Sequence, residues 1–201
     1  MLIERVAGLR WTGCANPYAD ADEHPELDRP GAAAIRRENL ARYLADRAAA
    51  PFLLVGEAIG YRGGRFSGMA FTSERQLAAW GPPYAPSSTR DGGWAEPSAT
   101  IIHGLLEEHD AERRAVLWNV VPAHPHRPGA PLTNRAPTVP EVAQGAPVLD
   151  AVIAVLQPRT VVAVGRIAER LLGGRASAAV RHPAQGGATA CREGLARILA
   201  G

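Results

Sequence analysis

Short apolar runs that alternate with helical stretches constrain this chain more than any other feature. Phe52-Leu53-Leu54-Val55 stops at Gly56, Ala115–Val121 reads AVLWNVV, and Thr160–Val164 reads TVVAV before Gly165. Ala176–Arg181 is a weaker fourth run. Continuous apolar runs without polar alternation suit strands covered on both faces, which is the habit of parallel sheets. Helical periodicity fills the spaces between them, over 32–50, 73–80, 99–109, 148–156, 167–172 and 188–199. Pro51 ends the first helix, and Ser98 reads as the N-cap of the third. Strand alternating with helix four times predicts a three-layer α/β/α fold around a central four-stranded parallel sheet. A chain of 201 residues is one domain's worth of sequence.

The irregular segments are 12–31, 60–97 and 122–147, rich in Pro, Gly and Ser. Loops that long inside a compact domain usually carry function. No apolar run reaches the roughly 20 residues of a membrane span, and Met1–Arg10 does not read as a signal peptide. No membrane partner is expected. Two cysteines, Cys14 and Cys191, are too few for a disulfide framework or a four-thiolate cluster, so a reducing cytoplasm is the expected location. His124-Pro125-His126 has poor spacing for zinc, and no metal or other cofactor is expected.

All 22 basic residues are arginine, with no lysine in the chain. Codon bias accounts for that, but the chemistry follows regardless. No side-chain amine exists to form a Schiff base with a sugar or carbonyl. Net charge is only +2, so any contact with nucleic acid must come from local arginines.

In open parallel sheets ligands bind beyond the C-terminal strand ends. The residues there are Gly56–Gly60 (GEAIG), Asn119 in Trp118–Pro122 (WNVVP), Gly165-Arg166, and Arg181–Gln185 (RHPAQ). The loop fed by the first strand contains Gly64–Glu74 (GRFSGMAFTSE). In that order and at those strand ends, the segments resemble the uracil-DNA glycosylase superfamily across roughly 50–200. GEAIG is similar to the GEAPG form of its thermostable iron–sulfur branch. RHPAQ resembles the second motif, and GRFSGMAFTSE the loop that carries a base-stacking Phe.

The resemblance implies a monofunctional DNA glycosylase. It would flip uracil or a related deaminated base out of DNA and hydrolyse the N-glycosidic bond, acting as a monomer without a cofactor. Asn119 is then the amide that reads the base edge, because an amide can donate to a carbonyl and accept from an N–H at once. Phe71 supplies a stacking face. Gly56 and Ala58 border the base, backbone N–H groups at Glu57 and Ala58 face its carbonyls, and His182 donates to the uracil anion as the bond breaks. Glu57 positions or activates water. Arg62, Arg65, Arg181 and Gln185 contact DNA.

Three departures are visible. The four cluster cysteines of the iron–sulfur branch are absent. The water-activating Asp of the best-known branch is replaced by Ala58, with Ile59 where Pro is usual. Gln185-Gly186-Gly187 occupies the place of the apolar wedge. Ala58 keeps a second reading open, a catalytically weak or inactive nucleic-acid-binding member. A third is a hydrolase of free nucleosides or nucleotides.

Overall fold

The computed structural model describes residues 2–20 and 24–200. Its centre is a four-stranded parallel sheet between layers of helix. In chain order the elements are α1 (Leu2–Ala7), β1 (Cys14–Ala15), α2 (Ala32–Ala45), β2 (Phe52–Ala58), α3 (Gly64–Ser67) and α4 (Glu74–Trp80). There follow α5 (Pro97–Glu108), β3 (Ala115–Val121), β4 (His124–Pro125), α6 (Val139–Leu156), β5 (Thr160–Val164), α7 (Arg166–Leu172), β6 (Ala178–Val180) and α8 (Ala188–Leu199).

The strand order is β3-β2-β5-β6, and every pairing is parallel. The chain therefore moves outward from β2 to β3, then returns to the other side of β2 for β5 and β6. That reversal is a topological switch point, and it leaves a crevice beyond the C-terminal ends of the strands. Leu53, Leu54, Val55, Leu117, Val162 and Ala163 are fully buried in the sheet, as their unbroken apolar runs require. The outer strand β3 is protected at one point by Tyr43 of α2, whose hydroxyl accepts the Leu117 N–H at 2.8 Å.

Several boundaries differ from the sequence reading. β2 continues past Gly56 to Ala58, because parallel pairing with β3 extends to Ala58 and Val121. The fourth strand shrinks to Ala178–Val180. The helix expected from Ala99 begins at Pro97, with Glu96 rather than Ser98 as N-cap. Proline at the first helical position has no N–H to leave unsatisfied. Residues 12–31 are not wholly loop: Cys14–Ala15 pairs antiparallel with His124–Pro125. A two-residue ribbon has no periodicity to read.

The largest difference is α6, which starts nine residues before Val148. Thr138 and Glu141 form a capping box, Pro140 sits in the first turn, and Pro147 is carried inside the helix. Those prolines made the segment read as loop. With mean hydropathy 1.5 over 18 residues, α6 is also long and apolar enough to cross a membrane, contrary to the sequence expectation. It packs on β3 and α1 instead, with Val148, Leu149 and Val152 buried in the core.

Glu141 also pairs with Arg135 at 2.6 and 2.9 Å and accepts the Thr138 N–H at 2.7 Å. Arg135 first, then the Thr138 N–H, holds the Glu141 carboxyl down at about 2. Its stabilisation is therefore present above the ordinary value of 4.5 and is lost as pH falls toward 2. Glu141→Gln is expected to cost about 1–3 kcal/mol at neutral pH. Denaturant unfolding across pH checks it: the gap from wild type should close on acidification.

Candidate active site

A cleft of about 600 Å³ opens at the C-terminal ends of the sheet strands. Its lining includes Glu57–Gly60 at the end of β2, Asn119 of β3, Val164–Ala168 from the end of β5, and Arg181, His182, Ala184 and Gln185 after β6. Phe71, Glu96 and Asn134 close it from the loops.

The pairing register sets its floor. Gly56 lies opposite Asn119, so both positions face the same side of the sheet. A Cβ on Gly56 would fall 2.6 Å from the Asn119 Oδ1 and 2.5 Å from the Phe71 ring. The first motif thus needs glycine here, because the side chains of Asn119 and Phe71 occupy the space. Asn119 is only 4% exposed, and neither end of its amide is committed to a protein partner among the described residues. A buried amide without a protein partner is costly unless something else satisfies it. Ala58 shares this face and leaves it without a carboxylate from β2.

Phe71 has φ +48, a left-handed conformation uncommon for a bulky residue. Ser67 holds it there from both sides. Its hydroxyl donates to the Thr72 carbonyl at 2.6 Å and accepts the Met69 N–H at 3.1 Å. Asn39 of α2 in turn donates to the Ser67 carbonyl at 3.1 Å. The strained backbone aims an aromatic ring into the cleft, 5.9 Å from the His182 ring and tilted 40° to it.

His182 follows β6. Its Nδ1 accepts the Ala184 N–H at 3.1 Å, which leaves Nε2 as the N–H donor. Burial, and then the neighbouring Arg181, lowers its pKa. The ring is therefore a neutral donor at neutral pH. Gly165, at φ +97, lets the β5 turn pass within 3.0 Å of the His182 Cβ from where its own Cβ would sit.

Glu57 is half-buried, and burial raises its carboxyl against the pull of Arg170 on α7. Strand alternation sends it to the face opposite Gly56 and Asn119. Arg181 and Gln185 are exposed at the mouth, together with Arg166. Arg62 is exposed but lies outside the cleft lining, its Nε donating to the Tyr61 hydroxyl at 2.8 Å.

Arg65 corrects the sequence expectation. It is 2% exposed and paired with Asp28 at 3.2 Å, beside the bidentate Arg36–Asp28 pair. A guanidinium enclosed in that network is a structural cation and not a phosphate contact. Asp28 is 37 positions away, so nothing local to Arg65 marks it as buried.

Glu96 and Asn134 were not singled out by the sequence, and the structure brings both to the cleft, beside the strand-end Arg166. Asn134 accepts the Tyr61 N–H at 3.1 Å and so ties the wall to the first motif. Glu96 had one legible sign, a polar residue before Pro97 at the head of an apolar helical pattern. Among the described residues no group of three His, Cys, Asp or Glu side chains is arranged to hold a metal ion.

Comparison with known proteins agrees with this geometry. A family model described as the uracil DNA glycosylase superfamily matches residues 44–199. The crystal structure of wild-type Pedobacter heparinus SMUG2 superimposes with a TM-score of 0.66 at 15% identity, over 99% of this chain and 94% of that one. At that identity the likeness shows the fold. No curated protein matches the chain.

Proposed function

We propose that this chain, which belongs to the uracil DNA glycosylase superfamily, excises uracil or a related deaminated base from DNA by hydrolysing its N-glycosidic bond. The observation that carries the reading is the convergence of three groups on one cleft. These are the uncommitted amide of Asn119, the ring of Phe71 and the neutral Nε2–H donor of His182. Their chemistry complements a flipped pyrimidine. Phe71 stacks on its face. Asn119 donates to one carbonyl and accepts from the adjacent N–H. His182 donates to the carbonyl that gains charge as the bond breaks. The exposed Arg166 and Arg181, with Gln185, suit phosphates on either side of the extruded nucleotide. Glu57, from the opposite face of β2, lies at the edge of this arrangement.

The mechanism is monofunctional. With no lysine in the chain, no side-chain amine can attack the sugar carbon and displace the base through an imine. The abasic product is therefore expected to stay intact until alkali or heat is applied, and borohydride should trap no covalent complex. A gel assay on single-stranded and duplex oligonucleotides carrying a panel of deaminated bases tests this reading. An alkali-labile break at uracil supports it. Binding without a break favours the inactive member that Ala58 suggests. Activity confined to monomers favours a nucleoside hydrolase.

A further inference from the structure

Ala58 leaves the Asn119 face of β2 without a carboxylate, yet the cleft contains one from elsewhere in the chain. Glu96 is the N-cap of α5, where a carboxylate ordinarily accepts the first free N–H groups of its helix. It makes no such bond. Its side chain turns instead across the loop that ends the first motif. A Cβ on Gly60 would fall 2.9 Å from the Glu96 Oε1, and one on Gly63 would collide with its Oε2. The two glycines are the space in which this carboxylate lies. A Cβ at Gly63 would also sit 3.3 Å from the carbonyl of Thr72, the residue after Phe71. Glu96 thus reaches the backbone of the loop that carries the Phe71 ring.

The segment is held firmly. Glu74, 2% exposed, accepts the Trp94 N–H at 3.0 Å. The Trp94 ring stacks on Phe66 with centroids 5.4 Å apart and planes 3° from parallel. No hydrogen bond or ion pair to the Glu96 carboxylate forms among the described residues, although it lines the cleft. A carboxylate that forgoes its own helix cap and has no other protein partner costs stability. Such groups collect where chemistry needs them.

We propose that Glu96, rather than either residue of the first motif at Glu57 or Ala58, takes the proton from the water that attacks the sugar. The inference rests on the glycosylase reading above. In the step, the C1′–N1 bond breaks and its electron pair leaves with the base as the uracil anion, which the His182 Nε2–H stabilises. The water oxygen bonds to C1′, and its proton passes to the Glu96 carboxylate. Glu96 then gives that proton to the departing anion or to solvent, which completes hydrolysis to free base and abasic sugar. No further reactant is needed.

Burial alone raises the Glu96 carboxyl to about 7, close to the optimum for a general base at neutral pH. The other charged or titratable groups of the cleft are Glu57 of β2, Arg135 paired with Glu141, Arg166 of α7, and Arg181 and His182 after β6. None of them is a cause of the Glu96 shift.

Single-turnover excision from a uracil oligonucleotide is measured from about pH 5 to about pH 9 with wild type, Glu96→Gln and Glu57→Gln. The wild-type rate should fall as pH drops through about 7. Glu96→Gln should lose that limb and run about 10²-fold slower at the alkaline end. Glu57→Gln should keep the limb. A limb from His182 belongs below its ordinary 6.5 and should persist in both variants. Unfolding of the same proteins shows that the variant is folded. Because the fold favours the protonated carboxyl, the stability of wild type relative to Glu96→Gln should fall as pH rises from 4.5 through about 7. A purely structural Glu96 would change unfolding and leave the rate profile in place, which overturns the proposal. Loss of the limb in Glu57→Gln instead assigns the proton to Glu57 and also overturns it. If wild type releases no uracil at any pH, the glycosylase reading itself fails, and this inference with it.

Discussion

His182→Ala is expected to lose about 10²–10³-fold in single-turnover excision of uracil while still binding DNA, which removal of one donor to a developing anion typically costs. The Ala184 N–H fixes the His182 tautomer, so the ring offers its Nε2–H before substrate arrives. Its lowered pKa keeps it neutral, and a neutral donor does not have to surrender a proton for the step to proceed. The base leaves as an anion in a dissociative step, so stabilising that charge should matter more than activating the water. His182→Ala should therefore lose at least as much rate as Glu96→Gln, and more than Glu57→Gln. The same single-turnover assay checks both. A dead Glu96→Gln beside a near-wild-type His182→Ala would reverse that ordering.

Asn119→Ala should abolish base selection more than DNA binding. The amide is buried at the end of β3, in register with Gly56 and against Phe71. Without it a flipped uracil keeps its stacking face but buries a carbonyl and an N–H unmatched. That costs about 1–3 kcal/mol in the flipped complex. The rate on uracil should fall accordingly, while affinity for an undamaged oligonucleotide, set at the mouth by arginines, should stay near wild type. Excision at the wild-type rate by Asn119→Ala would place the base elsewhere.

How much of this was legible follows from the range of the forces involved. Buried strands announce themselves through unbroken apolar runs, so the sheet and its C-terminal ends could be read from the chain. Gly56, Asn119 and His182 fell at those ends and were legible with them. What escaped depends on contacts between distant positions. Arg65 is buried only because Asp28 and Arg36 come together around it from another part of the chain. Glu96 enters the cleft because Glu74 and Phe66 hold Trp94 in place, and no periodicity records that. The start of α6 was hidden for a different reason. Its prolines count against a helix in any local reading, yet the capping box at Thr138 and packing on β3 outweigh them.

The central claim is that the Asn119–Phe71–His182 cleft hydrolyses the glycosidic bond of a flipped uracil. The most direct test incubates excess protein with a uracil-containing single-stranded oligonucleotide and follows both products by mass spectrometry. The account predicts free uracil and an intact abasic strand in equal amounts from wild type, with His182→Ala slower by about 10²-fold or more. An oligonucleotide that is bound but returned with its uracil in place would contradict it.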